Sequence, residues 1–151
     1  MTEWGGAGDG TIFRMTPGGK FTRLWDFNNG TTDGYYPYGG LAQGTDGNFY
    51  GVTLNSSPGQ GVVFRLSVGL SPSVKVLSPS ATPGSTVTIL GTNLTGTTGV
   101  YLNGRQMSAF AVNPTGTAIS FTVPSFARSG AVRVDTPHGM LSGDVNVRVL
   151  H

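Results

Sequence analysis

In residues 85–90 (STVTIL) and 119–123 (ISFTV), apolar side chains recur at every second position. Successive side chains of a β-strand point to opposite faces, so this pattern is typical of strands that bury one face. The alternation continues outward from these two segments in five further short runs, which makes seven in all. The five runs contain Val74 and Val76, Val100 and Leu102, Phe110 and Val112, Val132 and Val134, and Val145, Val147 and Val149.

Turn residues separate these runs. Asn103-Gly104 favours a type I′ hairpin turn, because both residue types tolerate a positive φ. The other turn signals are Thr82-Pro83-Gly84, Asn113-Pro114, Ser129-Gly130 and His138-Gly139. Seven short strands joined by such turns predict an immunoglobulin-like β-sandwich over residues 73–150. No stretch of the chain has the apolar spacing of a helix, so the predicted fold class is all-β.

The sandwich segment also resembles a known family. Four stretches carry the likeness: 77–94 (LSPSATPGSTVTILGTNL), 100–104 (VYLNG), 119–124 (ISFTVP) and 129–139 (SGAVRVDTPHG). Residues 72–150 resemble the IPT/TIG domain, which implies the immunoglobulin-like fold. Its members occur in bacterial surface proteins, receptor ectodomains, polysaccharide-processing enzymes and DNA-binding transcription factors, so the likeness implies little about function. The turns that would read DNA hold only a single Arg105 or Arg128, which argues against that use.

The first half of the chain contains an internal repeat. Residues 8–16 (GDGTIFRMT) and 59–67 (GQGVVFRLS) are identical at four of nine positions, with an offset of 51 residues. A period of roughly 40–50 residues built from short strands is typical of propeller blades. The offset places Met1-Thr2 over Val52-Thr53, so we expect the chain to begin within a repeat, as a fragment of a longer protein. A short protein that completes its sheet with a neighbouring chain is the alternative.

Residues 8–27, 33–53 and 59–67 together resemble the GloVer tandem repeat, a likeness that covers residues 5–67. This resemblance implies a bacterial surface or secreted protein. Between the repeat copies, residues 20–27 (KFTRLWDF) alternate as a strand, and Asp46-Gly47 is typical of a hairpin turn. We therefore expect a partial, propeller-like β-repeat over residues 1–67, a linker at 68–72 and the sandwich at 73–150.

Composition limits the classes of partner. Charged residues make up 11% of the chain, against about a quarter in a typical soluble domain. The net charge is only +2, and the cations do not cluster, so nucleic-acid binding is disfavoured. There are no cysteines, which excludes disulfides and Cys-ligated zinc. No membrane-spanning run and no signal peptide is visible, and an extracellular or cell-surface location is expected from the resemblances.

Catalytic signals are sparse. The acids are Glu3, Asp9, Asp26, Asp33, Asp46, Asp135 and Asp144. Most of them neighbour a glycine, which is typical of turns, and a hydrolase built on Asp26 and Asp46 is the enzymatic alternative. His138 and His151 have no nearby nucleophile or second ligand, and the Asp-Gly turns lack the spacing of a known Ca²⁺ loop. The sequence predicts no enzyme and no cofactor.

Aromatic residues are the best candidates for a binding surface. The predicted ligand or self-association surface consists of Trp4, Trp25, Tyr35, Tyr36, Tyr38 and Tyr50. Burial between repeats is the competing interpretation, and we favour it for Trp25, Phe27 and Phe49. The predicted function is a non-enzymatic extracellular or cell-surface module for adhesion, spacing or assembly. Its expected partner is a protein, through self-association or on a surface, or a polysaccharide. The alternative is a carbohydrate-binding accessory to a polysaccharide-processing enzyme.

Overall fold

A computed structural model describes residues 1–28, 32–56 and 59–150. These residues form β-strands and turns without any helix, which confirms the all-β prediction. The chain divides into two compact units. The N-terminal unit comprises Met1–Gly44 with Asn48–Val68, and the C-terminal unit comprises Thr45–Gly47 with Gly69–His151. His151, considered above as a ligand, lies outside the described residues.

The N-terminal unit contains five strands in two sheets. Its strands are β1 (Thr11–Met15), β2 (Phe21–Asp26), β3 (Tyr35–Gln43), β4 (Phe49–Asn55) and β5 (Val63–Leu66). β1 pairs with β2, and β4 lies between β3 and β5. All of these pairs are antiparallel. The turn predicted at Asp46-Gly47 forms between β3 and β4, and a turn closed by the Gly19 amide and the Thr16 carbonyl joins β1 to β2. The propeller-like character of this unit stays a prediction.

A small aromatic and aliphatic core holds this unit together. Ile12, Phe27 and Phe64 are buried, and the rings of Phe27 and Phe64 meet edge to face at 5.0 Å. Trp25 is 43% exposed within this chain, so its burial between repeats stays a prediction. The Phe27 amide donates to the Gly10 carbonyl, which extends the pairing of β1 with β2 by one residue beyond Asp26. Phe49 is half-buried.

The C-terminal unit contains nine further strands in two sheets. They are β6 (Lys75–Val76), β7 (Ser80–Ala81), β8 (Thr86–Leu90), β9 (Gly99–Leu102), β10 (Arg105–Gln106), β11 (Phe110–Val112), β12 (Ala118–Thr122), β13 (Gly130–Thr136) and β14 (Gly139–Val149). The sheet orders are β11-β12-β8-β6 and β10-β9-β13-β14-β7. These are the sheets of an immunoglobulin-like sandwich, with β8 and β12 in one sheet and β9, β13 and β14 in the other.

The predicted alternation fills the space between these two sheets. Val87, Ile89, Val100, Ile119, Val132, Val134 and Val147 are all at most 1% exposed. Asn103 and Gly104 have φ of 50° and 75°, as the type I′ prediction requires. Val145 departs from the pattern and is exposed, because the pairing of β13 with β14 shifts register between Ala131 and Arg133.

Leu94, which follows β8, tests this core. It is fully buried, so Leu94→Ala should lower the free energy of unfolding of the C-terminal unit by about 2–5 kcal/mol. Leu77 is 52% exposed in the same unit, and Leu77→Ala should change that free energy by less than about 0.5 kcal/mol. Urea unfolding followed by amide NMR signals of this unit measures both. Equal losses in the two variants would contradict the packing described.

Candidate functional site

Three of the predicted aromatic residues meet on the N-terminal unit. The ring centroids of Trp4 and Tyr36 are 4.7 Å apart, with the planes tilted by 45°. The rings of Tyr35 and Tyr36 meet edge to face at 5.0 Å. Trp4 is 64% exposed, whereas both tyrosines are half-buried. Trp4, Tyr35 and Tyr36, called the aromatic cluster below, thus present an exposed indole that contacts Tyr36, and Tyr36 in turn contacts Tyr35.

The backbone at Tyr36 sets the geometry of the aromatic cluster. Tyr36 has a φ of 58°, in the left-handed region that a bulky side chain rarely adopts. That conformation costs about 1–2 kcal/mol relative to an ordinary strand residue. A hydrogen bond of 2.8 Å from the Tyr36 amide to the Asp9 carbonyl helps to hold it. Strain of this kind concentrates where a side chain must point in a particular direction.

The position of Trp4 can be compared with its counterpart one repeat later. The 51-residue offset places Trp4 over Asn55. The turn that follows is closed in the same way at both positions: the Gly8 amide donates to the Gly5 carbonyl, and the Gly59 amide to the Ser56 carbonyl. Because this turn forms with Asn55 as well as with Trp4, the local fold does not require an indole at this place.

The remaining predicted aromatic residues lie apart from this ring contact. Tyr38 is 58% exposed on β3, where it lies opposite Val52. Tyr50 is half-buried on β4. Trp25 lines a cleft of about 550 Å³, called the β5 cleft below, together with Leu24, Asp33, Val63, Arg65 and neighbouring residues. The six predicted residues therefore belong to more than one surface.

Three of the candidate carboxylates have structural partners. Asp26 accepts a hydrogen bond of 2.8 Å from the Thr11 hydroxyl and pairs with Arg23 at 3.2 Å. Asp144 accepts one of 3.0 Å from the Val76 amide, which ties β14 to β6. These carboxylates therefore hold strands together. Asp135 in turn pairs with Arg133 at 3.1 Å.

The described residues form neither a metal centre nor a membrane-spanning helix. Within residues 1–28, 32–56 and 59–150, no three His, Cys, Asp or Glu side chains are grouped as metal ligands would be. In the same part of the chain, no helix has the length and apolar character needed to cross a membrane.

A groove in the C-terminal unit was missed by sequence reasoning. Arg105 and Arg128 both line it, beside Phe126, although they are 23 positions apart in the sequence. The Arg105 guanidinium stacks on the Phe126 ring at 4.2 Å. Two cations therefore share one groove, where the sequence suggested a single arginine. One of them is already engaged with an aromatic face, as cation–π geometry favours.

No protein-family model matches the chain, and no curated protein matches it. Solved structures similar to it include the Bacteroides ovatus mixed-linkage glucan utilization locus SGBP-B in complex with a mixed-linkage heptasaccharide. That alignment has 18% identity, covers 93% of this chain and 35% of the other, and has a TM-score of 0.47. SGBP-B from a complex xyloglucan utilization locus in Bacteroides uniformis has 16% identity, coverage of 87% and 34%, and a TM-score of 0.40.

A third similar structure was solved with a xylogluco-oligosaccharide. It has 25% identity, coverage of 66% of this chain and 23% of the other, and a TM-score of 0.46. The chain thus spans between about a quarter and a third of these proteins. Because every one of these TM-scores is below 0.5, the likenesses assign neither a family nor a ligand to this chain. The IPT/TIG and GloVer resemblances stay predictions.

The exposure of Trp4 gives a test of whether the aromatic cluster serves folding. Trp4→Ala should change the free energy of unfolding of the N-terminal unit by less than about 1 kcal/mol, because the indole is 64% exposed. Phe27→Ala in the same unit should cost about 3–5 kcal/mol, because that ring is fully buried. Amide NMR signals of this unit, followed through urea unfolding, report both values. A large loss in Trp4→Ala would make the cluster a packing element.

Proposed function

We propose that this chain is a non-enzymatic extracellular or cell-surface module that binds a neutral polysaccharide through the aromatic cluster. The observation that carries the proposal is the exposed Trp4 indole, held against Tyr36 at a ring distance of 4.7 Å. This proposal takes the carbohydrate-binding alternative of the sequence analysis in preference to adhesion through a protein partner.

The chemistry of sugar rings fits such a surface. A pyranose with equatorial hydroxyls, such as glucose or xylose, presents its axial C–H groups on flat apolar faces. An indole offers a wide, rigid apolar surface for these faces, while its N–H stays available as a donor. The contact between Trp4 and Tyr36 limits the rotamers of the indole before any ligand arrives. Binding then loses less side-chain entropy than it would with a mobile ring.

The charges around the aromatic cluster favour a neutral ligand. Glu3 precedes Trp4 directly, and the backbone of Asp9 is bonded to Tyr36. Residues 1–10 and 33–38, which carry the aromatic cluster, contain three acidic residues and no Lys or Arg. A segment of negative charge disfavours an anionic ligand, although salt screens the effect at an exposed surface.

A binding role is also supported by the partners of the carboxylates. A glycosidase needs two carboxyl groups that face each other across the scissile bond, at separations of about 5–10 Å. Asp26 and Asp144 accept hydrogen bonds from Thr11 and Val76 instead. Their oxygens stabilise pairs of strands, so these two carboxylates have structural roles.

Electrophoresis through gels containing soluble polysaccharide tests the proposal. Neutral β-glucan, xyloglucan or xylan should retard the wild-type chain, and an anionic polymer such as polygalacturonate should not. Trp4→Ala should weaken binding by about tenfold or more, because a stacked aromatic contact contributes on the order of 1 kcal/mol beyond the area it buries.

Phe21→Ala is the matched control, because Phe21 is an exposed ring of the same unit outside the aromatic cluster. It should leave the retardation unchanged. Absence of retardation by all three neutral polymers would overturn the proposal. Equal retardation of wild type and Trp4→Ala would also overturn it, because the binding surface would then lie elsewhere.

A further inference from the structure

Strands β1 and β5 occupy matching positions in the internal repeat. The 51-residue offset that relates the two sequence segments places Ile12 over Val63 and Arg14 over Arg65. The hydrogen bonds on one side of the two strands also match. Thr2 and Thr11 exchange backbone hydrogen bonds of 3.0 and 3.1 Å, and at the equivalent place the Thr53 amide donates to the Val62 carbonyl at 2.9 Å.

The other side of the two strands differs. β1 pairs with β2, where Ile12 lies opposite Trp25. β5 is the edge of its sheet, and none of the described strands pairs with its outer side. Ile12 is 1% exposed, whereas its counterpart Val63 is 74% exposed. The offset would place the next strand at residues 72–77, but this segment belongs to the C-terminal unit and includes β6.

The backbone groups of β5 are oriented to accept another strand. Residues of an antiparallel strand direct their N–H and C=O groups alternately to the two sides. Since the Val62 carbonyl accepts from β4, Val63 and Arg65 direct their polar backbone groups away from β4. The counterparts of these two residues in β1 are Ile12 and Arg14. The Thr16 amide donates to the Lys20 carbonyl, so every second residue before Thr16, including Arg14 and Ile12, directs its backbone groups to β2.

The β5 cleft runs beside this open edge. Its walls include Leu24 and Trp25 from β2, Phe27 just after β2, and Val63 and Leu66 from β5. Asp33 and Arg65 add one charge of each sign. Trp25 is 43% exposed here, which is unusual for a large ring beside a core. An added strand with alternating side chains would place one row of them in this cleft and the other row outside.

We infer that the open edge of β5 accepts a β-strand with the sequence pattern of residues 20–27 (KFTRLWDF), supplied by another copy of the repeat. The incoming strand pairs antiparallel with Val63–Leu66, as β2 pairs with β1, and it covers Val63 and Trp25. Its affinity comes from main-chain hydrogen bonds, and its specificity comes from the apolar row that enters the β5 cleft. This inference uses none of the residues of the aromatic cluster, so it is independent of the proposed polysaccharide binding.

A labelled peptide of residues 20–27, attached to a polar solubilising tag, tests the inference on the full chain. Fluorescence anisotropy should show saturable binding. Amide NMR should show slowed hydrogen exchange at Val63 and Arg65. Val63→Pro should weaken binding about tenfold, because it removes an outward N–H and leaves the bonds to β4 in place. Val63→Thr keeps the N–H and should bind the peptide as the wild type does.

The peptide offers controls that do not alter the protein. N-methylation at Thr22 blocks an amide that faces the acceptor strand in the β1–β2 register and should weaken binding to a similar degree. N-methylation at Arg23, whose amide faces the other side, should not. A peptide with its apolar residues moved by one position should fail to bind, because that shift reverses the two faces.

Three results would overturn the inference. The first is no binding of the parent peptide, and the second is equal binding of the parent and the shifted peptide. The third is binding that survives both Val63→Pro and N-methylation at Thr22. Trp4→Ala should bind the peptide normally, so a loss of polysaccharide binding in that variant is distinguishable from a loss of strand pairing.

Discussion

Every strand in this chain needs partners for its backbone, and the fold depends on how each sheet edge meets that need. A buried strand with unpaired N–H and C=O groups is costly, and an exposed one is a template for another chain. With 14 short strands and no helix in its described residues, the chain has many edges to satisfy. The two units meet this constraint to different degrees.

The C-terminal unit uses a change of sheet to cover an edge. β6 pairs with β8 in one sheet, and β7 crosses to lie parallel to β14 in the other. The Arg148 amide donates to the Pro79 carbonyl at 2.7 Å, and the Leu150 amide donates to the Ala81 carbonyl at 2.9 Å. These bonds cover much of the outer edge of β14 near its end. In the N-terminal unit, none of the strands that the structure describes pairs with the outer side of β5.

The alternation in the sequence predicted the sandwich because one face of each strand is buried. Val87, Ile89 and Ile119 recur at every second position for that reason, and Asn103-Gly104 formed the expected turn. Two-residue strands such as β7 and β10 are too short to show a period. Trp25 and Phe27 are two positions apart and yet differ in burial, which a period-two pattern in residues 20–27 does not predict.

For the candidate site, the sequence identified the residue types but not their arrangement. The contact between Trp4 and Tyr36 requires a left-handed tyrosine whose amide is bonded to Asp9, 27 positions earlier. Neither feature has a sequence signature, since nothing about a tyrosine in residues 35–41 signals a positive φ. Arg105 and Arg128 likewise line the same groove only because the fold brings two distant segments together, which no sequence pattern indicates.

The internal repeat separates two kinds of exposed aromatic residue. Trp25 lies beside the open edge of β5. The equivalent edge of β1, in the other copy of the repeat, is covered by β2. A strand added to β5 would therefore account for the exposure of Trp25. Trp4 stands where the other copy has Asn55, so its indole has no counterpart that a neighbouring repeat would bury. Pairing between copies of the repeat would therefore explain the exposure of Trp25 but not the exposure of Trp4. A ligand outside the protein would give Trp4 a role, and for this reason we propose assembly at the edge of β5 and polysaccharide binding at the aromatic cluster.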